Sequence, residues 1–301
     1  MRIFTKLTIA AACVAACAST TNAQGRGDLL WIAGDGVNSG WSLDDATAIA
    51  TLADNDKVYS GTVYLNADKD FKFLTTYDFG NAEWRPVDAN AVPGADGVVK
   101  MALCTGDDAD NKIHVTESGN YLITLNAETG EATIVKSVYQ ETEIPYASMF
   151  IVGDALETGY LVDNGLTMIQ NPQKPYEFTA AKADLKAGEF KIATIMKGAG
   201  TWNAKYWYTR DVTDSSKMVI NAEGDNKWAI EDAGEYDVTA NIVANTLAIE
   251  KSGDSGIGEI TAEEAEIVGY YDFAGRRVVN PVSGSMVIAV DANGQATKVI
   301  F

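Results

Sequence analysis

The residues best placed for chemistry are aromatic rings set among glycines and polar stretches, with basic side chains close by in the chain. Trp41 follows a glycine-rich turn (Gly34, Gly36, Gly40), where a core strand residue would be unusual. Lys72 sits between Phe71 and Phe73, and strand alternation turns both rings toward a core and the lysine outward. Trp84-Arg85-Pro86 follows in a polar stretch. An exposed indole offers a flat apolar face to the C–H side of a sugar ring, while Lys72 or Arg85 donates to its hydroxyls. Such a site needs neither an ionised catalyst nor a metal. The competing reading seats Trp41 or Trp84 as a cap on the end of an apolar core.

Other chemistries lack their residues. The single histidine, His114, leaves no His-rich metal site and argues against a Ser–His or Cys–His triad. The sequence holds no Walker loop, no GxGxxG, no HExxH, no GxSxG and no CxxC. Asp107-Asp108-Ala109-Asp110-Asn111 has the oxygens for calcium but lacks the glycine and distant glutamate of an EF-hand, so a solvated loop is the favoured reading. Among 42 acidic residues no pair stands out for glycoside hydrolysis. The expectation is a protein without catalyst, metal or cofactor. A net charge of −19, from 42 acids against 23 Lys+Arg, argues against nucleic acid, whose phosphates require a basic stripe.

Residues 1–23 read as a secretory signal: Arg2 and Lys6, an apolar run from Leu7 to Ala18, and a small-residue end at Ala23. That run is too short to span roughly 30 Å of hydrocarbon at 1.5 Å per residue. A second reading takes Val14-Ala15-Ala16-Cys17 as a lipobox with a lipid on Cys17. Both readings export the chain. Cys13 and Cys17 fall inside this segment, so Cys104 stands alone and no disulfide framework is expected.

The elements that must carry the aromatics come in duplicate. Leu30-Trp31-Ile32-Ala33-Gly34-Asp35 reaches Gly40-Trp41, and Met149-Phe150-Ile151-Val152-Gly153-Asp154 reaches Gly159-Tyr160, an offset of 119. Phe71-Lys72-Phe73 recurs as Phe190-Lys191-Ile192 at the same offset, Trp84 as Trp202 at 118, and Gly119-Asn120-Tyr121 as Gly234-Glu235-Tyr236 at 115. The second copy thus offers Tyr160, Lys191 and Trp202, followed by the aromatic run Lys205-Tyr206-Trp207-Tyr208. Trp31 and Trp228, inside strand-like runs, read as core. Short Val-, Ile-, Tyr- and Thr-rich runs (Leu29–Ala33, Val58–Leu65, Asp70–Thr75, Lys112–Thr116, Asn120–Leu125, Ala132–Lys136) predict strands in each copy. The expected architecture is all-β: two tandem Ig-like β-sandwiches, 28–137 and 148–251, joined by a linker at 138–147. A small β-meander over 257–301 completes it, with hairpin turns at Asp272–Gly275 and Asn293-Gly294.

The order Gly34…Gly40-Trp41, then Phe71-Lys72-Phe73, then Trp84, resembles the glucoamylase-type starch-binding domain. That resemblance implies Trp41, Lys72 and Trp84 as one sugar site, with Tyr160, Lys191 and Trp202 as its copy. The phrase Ile151-Val152-Gly153-Asp154-Ala155 and the tandem layout resemble the SusE/SusF outer-membrane starch-binding proteins of the Bacteroidota. They imply starch or another α-glucan as partner, with other surface glycan-uptake proteins as neighbours. The end of the chain, Tyr271-Asp272-Phe273-Ala274-Gly275-Arg276-Arg277-Val278 to Phe301, looks like the C-terminal sorting domain of type IX secretion cargo. That tail suits a cleaved signal better than a lipidated Cys17. The function expected is a non-catalytic, exported glycan-binding protein; the alternative is a structural or adhesive surface protein whose sandwiches are spacers.

Overall fold

Alternating apolar residues build the strands, and two places break the alternation. The structure, a computed structural model, describes residues 28–52, 55–161, 164–196, 204–252, 267–271, 276–279, 281–282, 286–291 and 296–300. The signal-like segment, Cys13, Cys17, Trp202 and both tail hairpin turns lie outside these residues.

The first sandwich comprises β1 (Leu29–Ala33), β2 (Ala48–Leu52), β3 (Asn55–Leu65), β4 (Lys69–Leu74), β5 (Glu83–Pro86), β6 (Val98–Cys104), β7 (Ile113–Val115), β8 (Gly119–Asn126) and β9 (Glu131–Lys136). Its antiparallel ladder runs β1-β2-β3-β8-β9-β6-β5-β4 and returns to β1, with β7 on the far side of β4. Closing the sheet on itself leaves few free edges, which limits edge-to-edge pairing. The enclosed core holds Phe71, Phe73, Ile32, Ile49, Leu65, Ile113, Ile123 and Leu125.

The second sandwich repeats the order: β10 (Met149–Gly153), β11 (Leu166–Gln170), β12 (Glu177–Leu185), β13 (Gly188–Met196), β14 (Ala204–Arg210), β15 (Met218–Ile220), β16 (Trp228–Ile230), β17 (Gly234–Asn241) and β18 (Thr246–Lys251). Each strand takes the partners of the strand nine places earlier, except that a single Lys217–Thr246 bridge replaces the β6–β9 ladder. The fold is all-β, and its duplication extends to pairing. A third sheet, β19 (Ile267–Tyr271), β20 (Arg277–Val278), β21 (Met286–Asp291) and β22 (Ala296–Ile300), pairs as β20-β19-β21-β22. Strands β2, β5 and β6 are absent from the sequence-based reading. Ala48–Leu52 and Glu83–Pro86 carry few β-branched residues, and partners on both sides override their weak propensity.

The run Leu29–Ala33 is buried at every position, as is Met149–Gly153. Both faces of β1 and β10 are covered. Leu30 and Ile32 enter the first core, and Met149 and Ile151 the second. The outward Leu29, Trp31 and Ala33 pack with Ala48, Ala50, Leu74, Phe150, Val152, Ala193 and Ala204 in one shared cluster. The two sandwiches therefore dock through the same strands of each copy.

The segment 138–147, expected as a linker, is a fastened strap. Asn120, 1% exposed, accepts from Ile144 N at 2.9 Å and donates to Tyr139 O and Thr142 O. Ala147 joins the first core and Tyr146 the second. Gln170 at the end of β11 crosses the junction: its amide accepts from Thr62 N (2.5 Å) and donates to Thr62 O (3.1 Å) on β3.

Candidate functional site

The loop after β1 is fixed by its glycines. Gly34 N donates to Gly40 O, and Gly36 N to Asp70 O on β4. Gly34 (φ 143°) and Gly40 (φ 58°) occupy the left-handed half of backbone space, which suits glycine. A Cβ at Gly34 would run into Asp70 O and the Phe71 Cα. The second copy is built alike: Gly153 N donates to Gly159 O, Ala155 N to Glu189 O, and Gly153 and Gly159 have φ 153° and 61°. The loop delivers Trp41 in one copy and Tyr160 in the other to the outer edge of the lysine-bearing strand.

Trp41 is 37% exposed and stands beside Phe79, itself 41% exposed, with ring centroids 6.4 Å apart. Lys72 pairs across the ladder with Ala33, so it leaves β4 on the outer face, as alternation requires. It is nonetheless only 5% exposed. Its Nζ donates to Glu83 Oε2 and Asp110 Oδ1, both at 2.7 Å, and lies 5.8 Å from the Trp41 centroid. Arg85, 4% exposed, donates Nε–H to the same Glu83 oxygen at 2.7 Å and reaches Asp108 O. Lys112 completes the cluster, 2.8 Å from Asp110 Oδ2 and 5.6 Å from the Trp41 centroid. Burial pushes the Asp110 carboxyl up, but hydrogen bonds from Lys112 and Lys72 and their charges outweigh it and bring it to about 2.

Trp84 does not join this group. It pairs with Phe73, the inward-facing neighbour of Lys72, and packs half-buried against the first core. The expected polar loop is strand β5, and its alternation puts Glu83 and Arg85 outward and the indole inward. The three-residue set Trp41, Lys72, Trp84 is thus split across two faces: Trp41, Lys72 and Arg85 gather on one, and Trp84 lies on the other.

In the second copy Lys191 bonds Asp225 Oδ1 at 2.8 Å, and Lys227 holds Asp225 Oδ2 at 2.6 Å and sits 5.8 Å from the Tyr160 centroid. Hydrogen bonds from both lysines hold the Asp225 carboxyl below its usual range. Trp202 lies outside the described residues. By strand register the counterpart of Trp84 is Tyr208, opposite Ile192 and 4% exposed. The counterpart of Glu83 is Trp207, opposite Ala193 as Glu83 is opposite Leu74. Lys191 stands 4.5 Å over the Trp207 ring, so an indole face takes the place of a carboxylate beside the ammonium.

Asp110, Lys112, Asp225 and Lys227 escape the aromatic-first reading, yet Asp-Asn-Lys occurs at 110–112 and 225–227, in step with Gly119 and Gly234 at an offset of 115. In the stretch 107–111, read from the sequence as a solvated loop, two carboxylates are engaged by N–H donors: Asp110 by the lysines and Asp108 by Thr105 N at 2.7 Å. Among the described residues no group of three or more His, Cys, Asp or Glu side chains converges. His114 Nδ1 lies 2.7 Å from Asp70 Oδ1. Cys104 is a free, half-buried thiol at the end of β6.

No family model matches the chain, and no curated protein matches it. Three solved chains do. One is the crystal structure of SusF from Bacteroides thetaiotaomicron, 18% identical with a TM-score of 0.29, aligned over 75% of this chain and 48% of that one. The chain thus spans about half the length of that relative. Among the described residues no helix is long and apolar enough to cross a membrane.

Proposed function

We propose that this chain is a non-catalytic, exported glycan-binding protein that holds starch or another α-glucan on two β-sandwich modules, 28–137 and 148–251. On this reading residues 1–23 are the signal and 257–301 a sorting-like module. The supporting observation is the duplicated aromatic and Lys–Asp–Lys set: Trp41 with Lys72, Asp110 and Lys112, and Tyr160 with Lys191, Asp225 and Lys227. Trp41 and Phe79 offer the stacking face. Asp110, whose side chain is 55% exposed, keeps lone pairs for sugar hydroxyls at the rim. Lys72 and Lys191 act chiefly by holding a carboxylate in place, Asp110 in the first copy and Asp225 in the second.

Electrophoresis through gels containing starch or glycogen tests the reading. The wild-type chain is expected to be retarded, Trp41→Ala and Tyr160→Ala less so, and the double variant not at all. Unretarded wild type, or retardation that survives the double variant, would leave the spacer reading, which the burial of Lys72, Lys191 and Trp84 favours.

A further inference from the structure

The two copies differ by one exchange beside their platforms. Strand β7 is three residues long and pairs with β4 as Ile113↔Phe71, His114↔Asp70 and Val115↔Lys69. Ile113 and Val115 enter the first core, so His114, the one histidine of the chain, faces outward with Asp70. Its Nδ1 lies 2.7 Å from Asp70 Oδ1, and both side chains are partly exposed. In the second copy β16 pairs with β13 as Trp228↔Phe190, Ala229↔Glu189 and Ile230↔Gly188. Ala229 thus stands where His114 does, and Glu189 where Asp70 does. Glu189, with no imidazole opposite, has its carboxylate 3.6 Å from Lys227 Nζ.

Both ends of the His114–Asp70 contact reach the first platform. Asp70 O accepts Gly36 N–H from the loop that delivers Trp41, and Lys72 follows two residues on along β4. On the other side Asp110 and Lys112 lead directly into β7, and Lys112 stands 5.6 Å from the Trp41 centroid. A strand this short has few ladder bonds to set its position, so a side-chain pair across it counts. The other charged groups around His114 are engaged or turned elsewhere. Lys72 on β4 and Lys112 on the approach to β7 are held by Asp110. Asp68 N donates to Val115 O and Lys69 lies opposite Val115, and both side chains are exposed. The connection from β5 to β6 meets β7 at Ala91, whose carbonyl accepts His114 N–H. Of its acids, Asp96 accepts from Val98 N and Asp88 is exposed.

We propose that His114 is a positioning residue: protonated, it fastens β7 to β4, and with it the Asp110 and Lys112 rim, so that the first platform responds to pH and the second does not. That the platform holds glycan rests on the reading above. The sign follows from the donors. An imidazolium donates from both ring nitrogens and a neutral ring from one, and a hydrogen bond between ionised partners is about twice as strong as a neutral one. Histidine side chains gain their proton as pH falls from about 8 to about 5, where ordinary carboxylates and lysines keep their charge. The fastening is therefore complete at the acid end and weakens as pH rises.

Hydrogen exchange followed by mass spectrometry reads the fastening without any sugar. It is run on the full chain at about pH 8 and about pH 5.5, corrected for the intrinsic pH dependence of exchange. Amides 112–116 are expected to gain about two- to fivefold in protection at the acid value, the scale of one exposed ion pair, and amides 227–231 to gain nothing. His114→Ala should lose the gain, and His114→Lys, charged at both values, should protect equally at both. Calorimetry with maltoheptaose then reads the platforms one at a time. Tyr160→Ala, left with the first, should bind about two- to fivefold tighter at the acid value, and adding His114→Ala should abolish that difference. Trp41→Ala, left with the second, should bind equally at both. Equal protection of 112–116 at the two pH values, or a gain that survives His114→Ala, overturns the proposal. So does a gain in protection with no change in maltoheptaose affinity at the first platform. A wild type that binds no maltoheptaose at either pH overturns the glycan reading instead, and the fastening is then decided by exchange alone.

Discussion

Glu83 carries one negative charge between two nearly inaccessible cations, Lys72 and Arg85, each 2.7 Å from the same oxygen. Removing one member of a buried ion cluster leaves the others uncompensated, which typically costs about 3–5 kcal/mol. Glu83→Ala is therefore expected to lose stability of that order in urea unfolding, whereas Asp110→Asn, at a half-exposed position, should lose far less. Asp110 sets the acid response. Its carboxyl falls from an ordinary 3.8 to about 2 in the folded chain, so the stability it contributes is complete above pH 4 and disappears as pH falls toward 2. Asp225 is lowered too and acts in the same direction. Unfolding midpoints followed from pH 5 to 2 should drop less steeply in Asp110→Asn/Asp225→Asn than in wild type; parallel curves would refute the assignment. The sequence made Trp41 and Lys72 legible, because a glycine turn and an aromatic–Lys–aromatic strand leave local signatures. It hid Glu83 and Asp110, because ion partners brought together from different strands leave no spacing rule. Trp84 misled for a related reason: a four-residue strand is too short for its alternation to declare which way the indole points.

The strands that dock the two copies were visible as runs of unbroken apolar residues. Strands open to solvent on one face alternate in burial, as Val98–Cys104 does, but Leu29–Ala33 and Met149–Gly153 are buried at every position, and strands covered on both faces read as unbroken apolar runs. The repeat was legible wherever backbone geometry demands a residue type. Gly34 and Gly153 keep their places because a side chain would strike the neighbouring strand, and Asn126 and Asn241 each accept two turn N–H groups in the last hairpin of their copy. It was illegible in the hairpin joining β13 to β14. That hairpin is five residues longer than its counterpart from Leu74 to Glu83, so aligning Trp84 with Trp202 by spacing misses the structural match at Tyr208. Gly34→Ala combines a positive φ with a clash against backbone, and it is expected to lower the melting temperature by many degrees or prevent folding. Gly106→Ala, where nothing lies within 4 Å, should melt within a degree or two of wild type. Circular dichroism melts compare the pair directly, and equal losses would show that the loop yields.

At the scale of the whole molecule, the shared cluster makes the two sandwiches one unit rather than beads on a thread. Phe150 and Val152 of the second copy and Leu29, Trp31 and Leu74 of the first are all nearly inaccessible, and they have each other to thank for that burial. Burying such side chains is worth about 1.5–3 kcal/mol each, comparable in sum with the 5–15 kcal/mol net stability of a typical domain. Gln170 supplies direction to this otherwise non-directional contact, since its amide completes the peptide hydrogen bonds of Thr62 on the opposite strand. Fixed docking also holds Trp41 and Tyr160 at one separation, so on the proposed glycan-binding reading a chain long enough to reach both would gain the effective concentration of an intramolecular second contact. A first sandwich expressed alone as residues 28–147 would expose Leu29, Trp31 and Leu74 as one apolar patch. It is expected to bind a hydrophobic dye and self-associate on gel filtration, while the full chain runs as a single species that unfolds in one calorimetric transition. An isolated first sandwich that stays monomeric and melts where the full chain does would mean the contact contributes nothing. Two separate transitions in the full chain would mean that the sandwiches dock without coupling.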